Sequence, residues 1–189
     1  MFKKFLVLPV VLLGLSLSGC GLVSVTDANH MDHGMMVQES GFSSADVMFA
    51  QMMIPHHQQA VDMGTLAETR ANNLAVKELA AQIKSEQAPE ILQMQAWLKA
   101  SGSGMNMGHD MGMNGMLSDN ELVQLTGARG LEFDLLYLKG MIAHHKGAVT
   151  MAQTVLNSKN TEVKAIAKSI VASQNTQIVD MQALLEKLN

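Results

Sequence analysis

Apolar residues recur at helical spacing in two long segments of the chain. The first stripe consists of Leu79, Ile83, Ile91, Met94 and Leu98, and the second of Val163, Ile166, Ile170, Ile178, Met181, Leu185 and Leu188. Intervals of three, four and eight residues place each set on one face of an α-helix. The two-residue alternation of a half-buried strand is found nowhere. The pattern therefore predicts an all-α protein.

Capping and turn residues predict where the helices of the first half begin and end. Ser43 and Ser44 offer an N-cap for a helix that runs to about Arg70. Residues 72–73, both asparagine, separate it from a second helix that ends near Lys99. Pro89 lies inside this second helix, where we expect it to cause a kink.

The second half has its own boundary signals. Ser118 and Glu121 form a capping-box pattern that starts a short helix. A long helix is predicted from about Leu131 to Leu156. Residues 158–160 then break the chain before a last helix, which carries the second apolar stripe.

The two halves repeat each other. Residues 46–64 (DVMFAQMMIPHHQQAVDMG) align with residues 134–152 (DLLYLKGMIAHHKGAVTMA) at an offset of 88, and residues 83–98 align with residues 170–185 at an offset of 87. The matches are ordered and extend over both helices of each half. We therefore predict a four-helix bundle built from two repeated helical hairpins, 43–100 and 118–189. The connection 101–117 is long enough to relate the hairpins by an approximate two-fold axis.

The first residues have the features of a secretory signal. Lys3 and Lys4 precede an apolar run that ends at Leu17, which is shorter than the roughly 20 residues a spanning helix needs. The sequence LSGC ending at Cys20 resembles the lipobox of bacterial lipoproteins, in which the cysteine becomes the lipidated first residue. An ordinary signal peptide with an accidental cysteine is the alternative.

These features predict a signal peptide over 1–19, a flexible tail over 20–42 that contains Met and His, and a bundle over 43–189. The protein is expected to be exported and anchored to a membrane of the cell envelope through lipidated Cys20, on the periplasmic face. Because Gly21 and not Asp follows the cysteine, the outer membrane is expected if the host is Gram-negative.

Charge and cysteine content exclude several functions. The net charge is −4, and it becomes −6 when the signal and its two lysines are removed. A mildly acidic chain without basic blocks does not fit a nucleic-acid partner. Cys20 is the only cysteine, so one chain forms neither a disulfide nor a cysteine-based metal site.

Methionine is unusually abundant, with 17 residues in the chain. The tail contains His30, Met31, His33, Met35 and Met36. The connection is rich in glycine and contains Met105, Met107, His109, Met111, Met113 and Met116. Methionine on a helix is usually core filler, but on a polar loop it buries little. Thioethers select Cu(I) and its analogue Ag(I), and imidazole binds Cu(I) or Cu(II). We therefore interpret the connection as a ligand segment.

Two His-His pairs lie inside matching methionine frames. The candidate ligands are His56, His57, Met52, Met53 and Met63 in the first hairpin, and His144, His145, Met141 and Met151 in the second. The spacings Met-x3-His and His-x6-Met occur in both copies and place the side chains on shared helix faces. A packing role does not require that duplication, so we expect copper sites whose affinity falls as the pH drops through about 6–6.5.

The duplicated motif Met-Ile-x-His-His-x-x-Ala-x-x-Met resembles the bacterial domain of unknown function 305. It begins at Met53 and again at Met141, and the resemblance covers roughly residues 43–187. Members of that family have a ferritin-like four-helix fold and are mostly exported, and some are linked to copper or silver handling. The resemblance implies this fold and suggests a copper-binding protein. Pro55 stands where a small or polar residue is commoner.

Two other classes of function stay open. A ferritin-like di-iron oxidoreductase needs Glu-x-x-His pairs, but Met53 and Met141 stand three residues before His56 and His144. The other class is a lipid-anchored interaction module whose methionines scavenge oxidants. We favour a non-enzymatic protein that sequesters, buffers or passes on Cu(I) or Ag(I), with a copper-transfer partner protein in the last case. Copper-dependent redox activity remains an alternative.

Overall fold

The computed structural model describes residues 41–105 and 114–189. The predicted signal peptide, the predicted lipidation site at Cys20, most of the tail and the centre of the connection lie outside the described residues. Five helices are found in the described parts of the chain: α1 (Ser44–Arg70), α2 (Leu74–Ala100), α3 (Asp119–Gly127), α4 (Gly130–Gln153) and α5 (Thr161–Leu188). The predicted all-α fold is confirmed, although α4 ends at Gln153 and not near Leu156.

Polar side chains cap most starts of the described helices, and the caps at Ser43 and Ser118 were predicted from the sequence. Ser43 and Asp46 form a capping box at α1, and Ser118 and Glu121 form one at α3. The side chains of Asn73 and Asn160 accept hydrogen bonds from the first free N–H groups of α2 and α5. These bonds satisfy donors that a helix cannot pair internally.

Both internal prolines are accommodated within continuous helices. Pro55 and Pro89 are exposed, and α1 and α2 each run through them as one 27-residue helix. The expected kink at Pro89 therefore does not break α2.

The hairpins α1–α2 and α4–α5 pack through their long first helices, and α3 lies against α4. The start of α1 shares a buried cluster with the end of α4, and the end of α1 shares another with the start of α4, so α1 and α4 are antiparallel. Asp134 on α4 is almost fully buried and accepts hydrogen bonds from the backbone N–H groups of Asn72 and Asn73. It thereby fastens the α1–α2 turn to the second hairpin.

The apolar core has two clusters. The first includes Phe49, Met53, Met94, Trp97, Leu98, Met151, Val163 and Ile170. The second includes Met63, Val76, Ile83, Phe133, Tyr137, Leu138, Met141 and Met181. Neither cluster contains a histidine, and all four histidines of the repeated motif lie between them in sequence along α1 and α4.

Candidate metal centre

Four histidines meet at the middle of the bundle. His56 and His57 of α1 and His144 and His145 of α4 each have 0% of their surface exposed. Histidine is rarely buried so completely without a functional or hydrogen-bonding reason. The structure thus brings together the two motifs that the sequence placed 88 residues apart.

His56 and His144, here called the inner pair, stack against each other across the two hairpins. Their ring centroids are 3.7 Å apart, and the ring planes are inclined by 37°. No described residue forms a hydrogen bond of standard geometry with any of their four ring nitrogens. Weaker contacts, of His56 with the backbone of Asn114 and of His144 with the backbone of His56, oppose the lowering of their pKa values without reversing it. An unpaired buried group of this kind lowers the folding stability by about 1–3 kcal/mol. The inner pair therefore destabilises the apo bundle.

His57 and His145, here called the outer pair, each contact the second helix of their own hairpin. The Nε2 atom of His57 lies 2.8 Å from Oε2 of Glu90 on α2. The Nε2 atom of His145 lies 2.8 Å from Oε1 of Gln177 on α5. In both rings Nδ1 is buried and has no hydrogen-bond partner among the described residues.

Burial keeps three of the four imidazoles neutral. It lowers the pKa of His56 to about 3, with the charge of His57 adding to the effect. It lowers the pKa of His145 to about 4, although the bond to Gln177 opposes the shift, and holds the pKa of His144 well below 6.5. The folded bundle therefore keeps these three rings neutral at pH 6–6.5. The predicted fall in metal affinity through that pH range stays a prediction.

The candidate methionines of the helices lie on both sides of the histidines, together with Met94 and Met181, which were predicted only as apolar core positions. One core cluster contains Met53, Met94 and Met151, and the other contains Met141, Met181 and Met63. The repeat maps the first triad onto the second, and each triad draws on both hairpins. Five of the six side chains are fully buried, and Met151 is 8% exposed. Met52 is half-buried beside the first cluster.

The predicted ligands of the connection are only partly described. Met105 is 46% exposed, and Met116 is half-buried. Met107, His109, Met111 and Met113 lie outside the described residues.

The end of the connection, residues 114–117, is held tightly on the bundle and is called the strap here. Both amide atoms of Gln59 bond to the backbone of Leu117, at 3.0 and 2.8 Å. A Cβ atom on Gly147 would lie only 1.9 Å from the carbonyl oxygen of Asn114. Gln59 and Gly147 each follow an inner-pair histidine by three residues, but α1 and α4 are antiparallel, so the two ends of the strap are held on opposite sides of that pair and the strap passes beside it.

The donor set of this centre is imidazole and thioether. Across residues 41–105 and 114–189, no group of three or more His, Cys, Asp and Glu side chains is arranged to hold one ion. A hard ion such as iron prefers carboxylates, whereas sulfur and neutral nitrogen suit Cu(I) and Ag(I). The buried nitrogen atoms without partners and the two methionine triads therefore fit a soft monovalent cation.

Sequence reasoning missed the residues that hold the histidines in place. Glu90 and Gln177 occupy equivalent positions of the repeat but differ in type, and Gln59 fastens the strap. The first two could have been found as polar residues at matched positions inside otherwise apolar helix faces. The role of Gln59 had no sequence signal, because it depends on where the connection returns.

The fold and this centre define a class: a helical bundle of two pseudo-symmetric hairpins with a buried histidine and methionine centre. Residues 46–185 match the Domain of unknown function (DUF305). The chain belongs to the DUF305 family, as the resemblance indicated.

Solved structures of proteins with similar sequences have the same fold. A presumed secreted DUF305 protein from Streptomyces coelicolor is 33% identical, with a TM-score of 0.73 over 77% of this chain and 94% of the other. CopM in its Cu(II)-bound form is 31% identical, with a TM-score of 0.64 over 76% of this chain and 97% of the other. CopM has also been solved with Cu(I) and with silver.

A shorter similarity links the chain to the uncharacterized protein L153 of Acanthamoeba polyphaga mimivirus. The two are 38% identical over 55 residues, which is 29% of this chain and 36% of the relative. Within the described ranges, no helix is both long and apolar enough to span a membrane.

Proposed function

We propose that this protein binds Cu(I) or Ag(I) at its buried histidine and methionine centre and thereby sequesters, buffers or passes on copper. The observation that carries the proposal is the placement of four fully buried histidines between two methionine triads that the repeat relates. Neutral imidazole and thioether are ligands that need no proton released near neutral pH.

A methionine-rich region, the connection 101–117, extends this proposal beyond the bundle. Met105 and Met116 are accessible, and the candidate ligands between them belong to the same connection. We propose that this connection supplies additional, weaker Cu(I) sites and delivers the ion to the strap. Structures of CopM with Cu(II), Cu(I) and silver support copper as the ligand class in this family.

The proposed setting is the cell envelope, with the chain exported and anchored through lipidated Cys20. Support comes from the LSGC sequence and from similarity to a DUF305 protein described as a presumed secreted protein. Cell fractionation of the Cys20→Ser variant tests it: we expect the variant to leave the membrane fraction or to stay unprocessed. Membrane association and signal cleavage identical to those of the parent would contradict the anchor.

A competitive titration tests the metal proposal. Cu(I), Ag(I) and Zn(II) are titrated into the soluble form without residues 1–20 against a chelator of known affinity. The comparison is with a variant in which His56, His57, His144 and His145 are replaced by Gln. We expect loss of the tightest Cu(I) and Ag(I) sites with helicity retained, and weak Zn(II) binding by the parent.

Met48→Leu is the matched control, because Met48 is 46% exposed on α1 and belongs to neither triad. Unchanged affinity in the histidine variant, or Zn(II) displacing Cu(I) from the parent, would contradict the proposal. Iron binding with oxygen consumption would instead support a ferritin-like enzyme.

A further inference from the structure

The two outer-pair histidines have different partners at equivalent positions of the repeat. His57 contacts the carboxylate of Glu90, whereas His145 contacts the amide of Gln177. Glu90 and Gln177 are related by the offset of 87 that relates α2 to α5. The approximate two-fold symmetry of the bundle is therefore broken at the residues that touch the histidines.

The hydrogen bonds decide which nitrogen of each ring carries the proton. A carboxylate oxygen only accepts, so Nε2 of His57 donates to Glu90. Gln177 is oriented in turn, because its Nε2 donates to Oε2 of Glu86 at 2.8 Å. Its Oε1 then faces His145, and Nε2 of His145 must donate. Both rings are thus fixed with a proton on Nε2 and a lone pair on Nδ1.

The free lone pairs point toward the interior. The two nitrogens of an imidazole ring project in divergent directions, so Nδ1 is turned away from the outer helix when Nε2 contacts it. Nδ1 of His57 and of His145 is buried without a described hydrogen-bond partner. Met53 and Met141 each precede these histidines by four residues, on the side toward which helical side chains lean.

We propose that Glu90 and Gln177 are positioning residues that commit His57 and His145 to bind the metal through Nδ1, and that Glu90 makes the site of the first hairpin the tighter of the two. The inference rests on the proposed function. A carboxylate partner increases the basicity of a metal-binding imidazole, and losing such a partner typically costs about 10–100-fold in metal affinity. The neutral amide of Gln177 orients the ring of His145 in the same way, but it lacks the negative charge that increases the basicity of the imidazole.

The relay through Gln177 also links the hairpins. Glu86 and Glu90 both belong to α2, so one helix of the first hairpin orients the histidines of both. Substitution of Glu86 should therefore loosen His145, which lies on α4, and leave His57 unaffected.

Silver titration monitored by side-chain ¹⁵N NMR at constant neutral pH tests the inference. In the apo parent, we expect both outer-pair rings with the proton on Nε2. Ag(I) should shift Nδ1 of His57 first and Nδ1 of His145 at higher silver. Glu90→Gln should weaken the first site about 10–100-fold, so that both sites fill together. The double variant Glu86→Gln/Gln177→Glu should tighten the second site, since a carboxylate then faces His145.

Glu78→Gln is the control for net charge, because Glu78 is an exposed residue of the same helix. Glu86→Gln alone should mix the tautomers of His145 only. Silver shifts at Nε2, or an unchanged filling order in Glu90→Gln, would overturn the inference while leaving metal binding intact. If silver shifts none of the four histidines, the proposed function fails.

Discussion

The inner and outer pairs are neighbours in sequence and have the same chemistry, but their surroundings are opposite. His57 and His145 are each anchored to an outer helix by a 2.8 Å hydrogen bond. The ring centroids of His56 and His144 lie 3.7 Å apart across the hairpins. Neither ring forms a hydrogen bond of standard geometry with a described residue. An anchored ring is a ligand of fixed orientation, whereas an unanchored buried ring is stable only if something compensates its desolvation.

This difference suggests a division of labour. The outer pair, with its fixed tautomers, defines the geometry of the proposed metal sites. In the apo bundle, the desolvated ring nitrogens of the inner pair lower the folding stability. Metal binding or movement of the strap would remove this destabilisation. Each of the following substitutions either removes this contrast or makes it larger.

Lowering the pH should produce the largest loss of folding stability in the apo bundle. The inner pair should account for much of that loss. Burial lowers the pKa of His56 to about 3 and of His145 to about 4, and lowers that of His144 strongly. Unfolded histidines take up protons below pH 6.5, whereas these folded ones do not, so stability falls as the pH drops from 6.5 toward 4. Each such group contributes about 1.4 kcal/mol per pH unit.

Denaturant unfolding of the apo protein at several pH values measures this slope. The double variant His56→Leu/His144→Leu should have a clearly shallower slope than the parent, because two of the three groups are gone. An equal slope in both proteins would mean that the inner pair does not remain neutral in the fold.

The second largest effect should be on Cu(I) affinity, which we expect to fall more when the outer pair is replaced than when the inner pair is replaced. The double variant His57→Gln/His145→Gln should bind Cu(I) at least about 100-fold more weakly. We expect this loss to exceed that caused by removing only a residue that hydrogen-bonds to a metal-binding histidine. The double variant His56→Gln/His144→Gln should lose less. Chelator competition gives both numbers, and equal losses would remove the proposed division of labour.

Leucine substitution should change the stability of the apo bundle in opposite directions. At the inner pair, leucine replaces an unpartnered imidazole by an apolar group of similar size, and each substitution should stabilise by about 1–3 kcal/mol. At His57, leucine breaks the bond to Glu90 and leaves its carboxylate, 18% exposed, without its partner, which destabilises. Urea unfolding at pH 7.5 compares them; destabilisation at both pairs would contradict the contrast.

Displacing the strap should have the smallest effect of these changes. We expect its consequences for local stability to be confined to the surroundings of the inner pair. Gly147→Ala places a Cβ atom against the carbonyl of Asn114, so the strap must shift at a cost of about 1–3 kcal/mol. Gly127→Ala is the control, because a Cβ atom there meets nothing within 4 Å. Hydrogen exchange should quicken around His56 in Gly147→Ala and not around Glu90. A stability equal to that of the control would show that the strap is not packed as described.

Sequence periodicity and repetition predicted most of the fold. Apolar spacing, caps at Ser43 and Ser118, and the offset repeat located four long helices and one short helix. These signals are local, because a helix pairs its own backbone and needs only one apolar face. The end of α4 was misplaced by three residues, since a helix end depends on the turn that packs against it.

The sequence by itself determined the types of the candidate ligands, their duplication and the family, because these follow from residue identity and spacing along one chain. Only the tertiary structure decided which groups meet. It stacked His56 on His144, combined methionines of both hairpins in each triad and gave His57 and His145 different partners. The physical reason is that helix spacing fixes the face of a side chain, whereas its partner on another helix is fixed only by how the helices pack.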